Sequence, residues 1–239
     1  MINELTIAIP HGPPIEMVRV EGGGFQMGSE EYGDEKPVHP VTLSGFYLGR
    51  YPVTQAQWQA VMGKNPSRFI GANRPVERVS WQDCQAFLGQ LHRLTGRAFR
   101  LPTEAQWEYA ARGGCRSRGF RYAGSDRPDE VGWYDENSYG ETKPVGLKLA
   151  NELGLFDMSG NVSEWCADRY DDEYYARCAE AGVVVDPAGP DQGAFRVQRG
   201  GSYFSSAGFC HASGRLNRPT EEALKYNGLR LALPGQSVG

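Results

Sequence analysis

The clearest hydrophobic period in this chain lies between Trp81 and Leu94. Apolar residues at Trp81, Cys84, Phe87, Leu88, Leu91 and Leu94 repeat at helical spacing and stop at Gly96, which predicts an amphipathic helix with one face in a core. Three helix starts are marked by a hydroxyl residue three positions before a Gln or Asp: Thr54-Gln55-Ala56-Gln57, Ser80-Trp81-Gln82-Asp83 and Thr103-Glu104-Ala105-Gln106. That spacing lets each side chain bond the other residue's backbone amide and so satisfies two donors that a helix start leaves free. Val53 and Trp58 are placed to staple the first helix, which should end near Gly63. Pro102 leads into the third, and Gly113-Gly114 closes it.

Elsewhere the pattern is shorter. Ile15 to Gly28 has two apolar runs around Gly22-Gly23-Gly24 and reads as a β-hairpin, and Pro40 to Tyr51 alternates well enough for one or two further strands. Arg196-Val197-Gln198 and Leu229 to Leu233 predict two late strands, and Glu173 to Ala176 a short helix. Cys115 to Leu149 shows no period and reads as an ordered loop packed by Phe120, Tyr122, Trp133 and Tyr134. Turn chemistry marks Ser159-Gly160-Asn161. No linker divides the chain, so the expectation is one domain over 15–233, with an extension at 1–14 and a tail at 234–239.

Composition narrows the function classes. Gly 31 and Pro 15 without any repeat point to turns and long ordered loops rather than disorder. A net charge of −4 with acids and bases interspersed argues against a nucleic-acid binder. No apolar run approaches the roughly 18 residues of a membrane span and no leader pattern opens the chain, so a cytoplasmic protein is expected. Five widely spaced cysteines without a CxxC pair suit reduced thiols better than disulfides or zinc. His11, His39, His92 and His211 lie too far apart in sequence to suggest a ligand set. Glu108 and Arg112, one helical turn apart, read as a salt bridge or loop anchor rather than an acid/base pair. Asn161-Val162-Ser163 matches a glycosylation sequon inside a structural motif, and we discount it.

Several segments carry a more specific signal. Gly23-Gly24-Phe25-Gln26-Met27-Gly28, Pro52 to Trp58, Pro75 to Trp81, Leu101 to Arg112, Gly154 to Trp165 and Arg199-Gly200-Gly201-Ser202 occur in an order that resembles the formylglycine-generating enzyme, or sulfatase-modifying factor, family. The resemblance covers roughly residues 15–233. It implies an α+β variant of the C-type lectin fold, with low secondary-structure content and long ordered loops, and it admits several functions.

In the oxidase members, two cysteines after Gly-Gly-Ser bind copper(I) and activate oxygen to convert a substrate cysteine to formylglycine. Their positions here are Ser205 and Cys210. Copper(I) prefers paired soft thiolates, so a hard hydroxyl at Ser205 argues against that chemistry. The iron-binding H-x-x-x-H-x-E motif of the related sulfoxide synthases is absent from the sequence. A third branch, the variable proteins of diversity-generating retroelements, frames a mutable C-terminal segment between Arg-Gly-Gly-Ser and Gly-Phe-Arg-Leu. Arg199 to Ser202, Cys210 and Gly228-Leu229-Arg230-Leu231 resemble that plan, with Leu229 in place of Phe. Adenine-directed change of AAC or AAT codons never yields Lys, Glu, Gln, Met or Trp, and none of these occurs from Tyr203 to Thr220. Glu221, Glu222 and Lys225 must then be fixed positions.

The leading expectation is a non-catalytic protein that binds a protein or small-molecule ligand through Tyr203 to Tyr226. Its candidate contact residues are Tyr203, Phe204, Ser205, Ser206, His211, Ser213, Leu216, Asn217 and Tyr226, a mixture of ring anchors and adaptable hydroxyls suited to recognition. Phe209 and Cys210 are expected in the core, and Tyr203, Phe204, His211 and Leu216 at the surface. The alternatives are the copper-dependent oxidase, with Cys210 reactive, and a structural or adaptor member of the family. The resemblance also implies a calcium site at Asp157, Gly160, Val162 and Glu164, whose oxygen donors suit that ion.

Overall fold

Hydroxyl-led helix starts and short strands recur in the computed structural model, which describes residues 4–235. Five strands come first: β1 (Glu4–Ile7), β2 (Ile15–Val20), β3 (Gly23–Met27), β4 (His39–Leu43) and β5 (Phe46–Gly49). Helices α1 (Gln55–Met62), α2 (Trp81–Thr95) and α3 (Glu104–Ala111) follow, each opened by the expected reciprocal cap at Thr54, Ser80 and Thr103. α1 and α2 end at Gly63 and Gly96 in the left-handed region, where a residue without Cβ is favoured. Next come α4 (Pro128–Val131), β6 (Gly132–Trp133), β7 (Ser159–Gly160) and β8 (Ser163–Arg169). The chain then runs through α5 (Tyr174–Ala181), β9 (Val184–Val185), β10 (Phe195–Arg199), β11 (Arg215–Pro219), β12 (Asn227–Leu229) and β13 (Ala232–Pro234).

Helix makes up 22% and strand 25% of the chain, so about half of it is loop, as the glycine and proline content implies. The strands form a sheet in the order β1-β2-β5-β13, a second in the order β11-β10-β8-β12, a smaller β3-β4-β9 sheet and the pair β6-β7. Two large apolar clusters fill the space between them, beside a small third one of Tyr122, Val131, Tyr134 and Cys210. One joins α3 to β2–β5 and Val197, and the other packs α1 and α2 against Trp165, Leu229, Leu231 and Leu233. Val53 and Trp58 are both buried in the second, where the ring of Trp58 stacks on Phe87 at 4.8 Å.

Four expectations need correction. β2 and β3 do not pair: β2 lies between β1 and β5, whereas β3 pairs with β4. Gly22 lets the chain cross between sheets, because a Cβ there would stand 2.5 Å from the Leu43 carbonyl oxygen. The extension before residue 15 is partly structural, since Glu4–Ile7 adds a strand to β2. The proposed last strand over 229–233 is two strands, and Pro234, placed in the tail, closes the second. Leu229 pairs with Trp165 of β8 and Ala232 with Leu48 of β5, with the buried Arg230 between them. The short helix at 173–176 instead runs from Tyr174 to Ala181, because Tyr175 and Cys178 bury one face. Residues 236–239 of the expected tail lie outside the described residues.

α3 is buried on every side, including Glu104, Gln106 and Glu108. Ionised carboxylates inside a core need paired charge and hydrogen-bond donors, and the C-terminal half of the chain supplies both. Arg199 donates to Glu108, and Arg215 donates to both oxygens of Glu104 at 2.6 and 2.9 Å. Burial pushes the Glu104 carboxyl up, but Arg215 and Arg199 beside it hold it below the usual carboxylate range. A third pair, Arg230 with Glu164, is equally buried and closes at 2.7 Å. Removing one partner of such a pair strands the other charge, so Arg230→Ala should cost about 3–5 kcal/mol of unfolding free energy. Denaturant unfolding checks this, and a loss below about 1 kcal/mol would contradict the anchoring role.

Asp168 lies beside this network and accepts from the Glu104 amide at 2.8 Å. Burial, reinforced by the Glu104 charge, raises its carboxyl from the ordinary 3.8 to about 7. Between those values the folded chain holds a proton that the unfolded chain has lost, so this group favours folding at low pH and loses that contribution as pH rises through about 7. Asp168→Asn keeps an acceptor and removes the titration. The difference in thermal midpoint between Asp168→Asn and the unsubstituted chain should therefore shift in favour of the variant from about pH 5 to about pH 8. Parallel pH profiles would refute this.

Candidate binding surface

The segment from Arg199 to Arg230 is held at its ends and in its middle by the three buried arginines. Arg199 Nη1 donates to the carbonyls of Ser213 and Gly214 at 2.6 Å, which folds the segment back on its own start. Gly200 and Gly201 have φ of 89° and 64°. A Cβ on Gly201 would meet the Cys210 sulfur at 2.7 Å, so the turn admits only glycine. Arg215 also donates to the Asp34 carbonyl at 2.6 Å, with its guanidinium 3.8 Å from the Tyr175 ring centroid. Arg230 reaches the Gly49 and Phe156 carbonyls at 2.8 and 2.7 Å.

Between these anchors the segment splits into inward and outward residues. Tyr203, expected at the surface, is 1% exposed; its amide donates to the Asn161 carbonyl and its ring meets Phe69 edge-on at 5.4 Å. His211, also expected outside, is 2% exposed and bonds Glu35 at 2.8 Å. Ser213 is buried as well. Phe209 reverses the opposite way: expected in the core, it is 52% exposed and stacks on Tyr32. The reason is shared. The 3₁₀ turn Ala207–Phe209 turns its last ring outward, while the next two residues, Cys210 and His211, go under it.

Phe204 is 60% exposed and Ser206 is exposed, whereas Ser205, Leu216, Asn217 and Tyr226 are half-buried. Ser205 shares a 3.1 Å hydrogen bond with the Ser202 hydroxyl. Leu216 and Asn217 lie on β11, an edge strand that sequence reading missed. Asn217 lines an open groove of ≈ 670 Å³ with Tyr170, Asp171, Asp172 and Phe195, apart from Phe204. Arg215 also went unrecognised, although the uncompensated Glu104 of a buried helix is the signal that would have found it. Outside the segment, Phe69 and Arg68 join the surface from the loop after α1.

The residues do not suit a copper(I) centre. Burial pushes the Cys210 thiol up to about 12, and it faces the Ser202 and Ser206 carbonyls. A neutral, enclosed thiol with a serine in place of its pair is a poor soft ligand. His211 is committed to Glu35.

The calcium set fares no better in this arrangement. Glu164 gives both oxygens to Arg230 and accepts from the Trp107 indole at 2.7 Å. Asp157 accepts from the Gly146 amide and the Asn161 side chain, and burial raises its carboxyl to about 6. Among the described residues, no three His, Cys, Asp or Glu side chains converge on a metal position. Glu108 and Arg112 form the expected salt bridge at 2.8 Å. No described helix is long and apolar enough to cross a membrane.

Residues 8–234 match the sulfatase-modifying factor enzyme 1-like domain. Over 241 aligned residues the chain is 37% identical to chaperone protein LppX of Paenibacillus barcinonensis, covering 80% of this chain and 79% of that one. It is 33% identical over 265 residues to the formylglycine-generating enzyme of Streptomyces coelicolor, covering 81% and 80%. Treponema denticola variable protein 1 superposes with a TM-score of 0.89 at 30% identity, over 98% of this chain and 100% of that one. PvdO from Pseudomonas aeruginosa gives a TM-score of 0.75 at 26% identity, over 92% and 94%.

With Glu164 neutralised by Arg230, calcium chelation should leave the thermal midpoint unchanged. Differential scanning calorimetry with calcium and with a chelator checks this; a rise of several degrees with calcium would mean that the ion displaces Arg230 from Glu164.

Proposed function

We propose, from the premise that this chain belongs to the sulfatase-modifying factor enzyme 1-like domain family, that it is a non-catalytic binding protein whose C-terminal segment is the recognition surface, in the manner of the retroelement variable proteins. One observation carries this reading. The segment is clamped by Arg199, Arg215 and Arg230 in the interior and still turns Phe204, Ser206 and Phe209 outward. Side chains that hold nothing together are free to differ, and exposed rings beside hydroxyls suit contact with a partner. The likeness to a variable protein over the whole chain supports it.

The relatives named as formylglycine-generating enzymes favour the oxidase as the second reading. Ser205 and the enclosed, neutral Cys210 weigh against it. Copper(I) binding with turnover of a cysteine-containing peptide would reverse this order.

The first reading predicts that a displayed library randomised at Phe204, Ser206, Phe209, Leu216 and Asn217 stays folded and yields binders to an arbitrary protein such as lysozyme. A matching library at Tyr203, His211 and Arg215 should lose most of its folded members, read by protease resistance. If the first library unfolds, or yields no binders while folded, the recognition reading fails. A near-copy of the codons for Arg199 to Leu231 downstream, with AAC or AAT at the differing positions beside a reverse transcriptase, would identify the retroelement class.

A further inference from the structure

We propose that the recognition surface extends beyond the C-terminal segment onto the loop after α1, and that it takes a short acidic peptide segment of a partner protein. This rests on the recognition reading above and gives the partner its chemistry. The contacts form a continuous chain. Arg68 lies 5.5 Å from the Phe69 ring centroid, Phe69 packs edge-on against Tyr203, Tyr203 adjoins Phe204, and the Lys225 ammonium sits 4.3 Å over the Phe204 ring. The Arg78 backbone lies against the same segment, its amide donating to the carbonyl of Leu224, next to Lys225.

Arg68 and Arg78 are exposed and Lys225 is half-exposed, and none has a carboxylate within 4.0 Å among the described residues. The acid beneath them turns neither oxygen to the surface. Glu77 is fully buried, its Oε1 accepts the amides of Arg68 and Phe69, and burial raises its carboxyl. Two of these cations, Arg68 and Lys225, therefore lie over aromatic rings with the exposed Arg78 as a third positive charge, the arrangement that draws carboxylates to a surface with apolar anchors.

The surroundings limit the length of that partner. Asp135, whose amide donates to the Ser205 carbonyl, and its neighbour Glu136 are exposed beside the same segment. A continuous polyanion such as a nucleic acid would place further charges against these acids. A few carboxylates flanked by apolar residues fit between them.

The test is fluorescence polarisation with labelled hexaglutamate, and with a hexathymidylate and hexalysine for comparison, at low and high salt. Hexaglutamate should bind the full chain and be released by salt, and Arg68→Ser with Lys225→Ser should weaken it about tenfold, as the sum of exposed charge pairs. Arg127→Ser, at an exposed arginine paired with Glu130, should change nothing. Circular dichroism establishes that each variant is folded. Absence of hexaglutamate binding, an unchanged affinity in the charge variants, or tighter binding of hexathymidylate each overturns the proposal. Loss in Lys225→Ser and Phe204→Ala but not in Arg68→Ser or Arg78→Ser removes the extension onto the loop while the recognition reading stands. Loss in Arg68→Ser and Arg78→Ser alone keeps the basic face on the loop and refutes the C-terminal segment as the recognition surface.

Discussion

Two carboxylates on a helix with no solvent-facing side are the constraint that the rest of this structure answers. Glu104 and Glu108 lie one turn apart on α3, and an ion of that kind in a core is tolerable only beside a fixed opposite charge. Arg199 and Arg215 provide it from β10 and β11, strands that are neighbours in one sheet. The sheet and helix are thereby tied at defined positions. An apolar contact of similar area would permit sliding; a forked guanidinium on a carboxylate does not.

That tie explains how the C-terminal segment can be irregular and still ordered. Where its ladders on β10 and β8 leave off, buried arginines take over: Arg199 holds the Ser213 and Gly214 carbonyls, and Arg230, after Leu229, donates to the Gly49 and Phe156 carbonyls of neighbouring segments. Long loops are ordered when their carbonyls find such donors. The outward residues are then decoupled from the fold: Phe204 and Phe209 rest on neighbouring rings at the surface, and their loss opens no cavity in either large apolar cluster. A surface of this kind separates stability from recognition, the condition under which contact residues can change without unfolding the domain.

The helix starts are legible in the sequence because a reciprocal cap is a local event between residues three apart. α1, α2 and α3 each begin where Thr54, Ser80 and Thr103 mark them. Pairing of strands is not local. Alternation around Gly22 identifies β2 and β3, but nothing nearby records that they enter different sheets, since their partners β5 and β4 are chosen by packing far along the chain. β8 escapes a hydrophobicity scan because its buried Ser163 and Glu164 are polar residues satisfied by Gly201 and Arg230. In the candidate site, residue type alone misplaces Tyr203, His211 and Phe209. A ring or imidazole in a Gly/Ser-rich run has no period to report its facing, and the one-residue difference between Phe209 and Cys210 is set by a 3₁₀ turn.

Arg215 sharpens what a variable segment can mean here. It lies inside the run whose residue alphabet suits codon-level diversification, but its guanidinium completes the Glu104 pair and pins the Asp34 carbonyl. His211 does the same for Glu35, so both residues fasten the loop containing the 3₁₀ turn Gly33–Glu35. Free exchange at either position would take a principal donor from a buried carboxylate, a penalty larger than most surface contacts return. Diversity compatible with this fold is therefore confined to positions whose side chains leave the interior, Phe204, Ser206 and Phe209 in the turn and the half-exposed face of β11. The frame that matters is the set of buried charges distributed through the segment, more than the two short motifs at its ends.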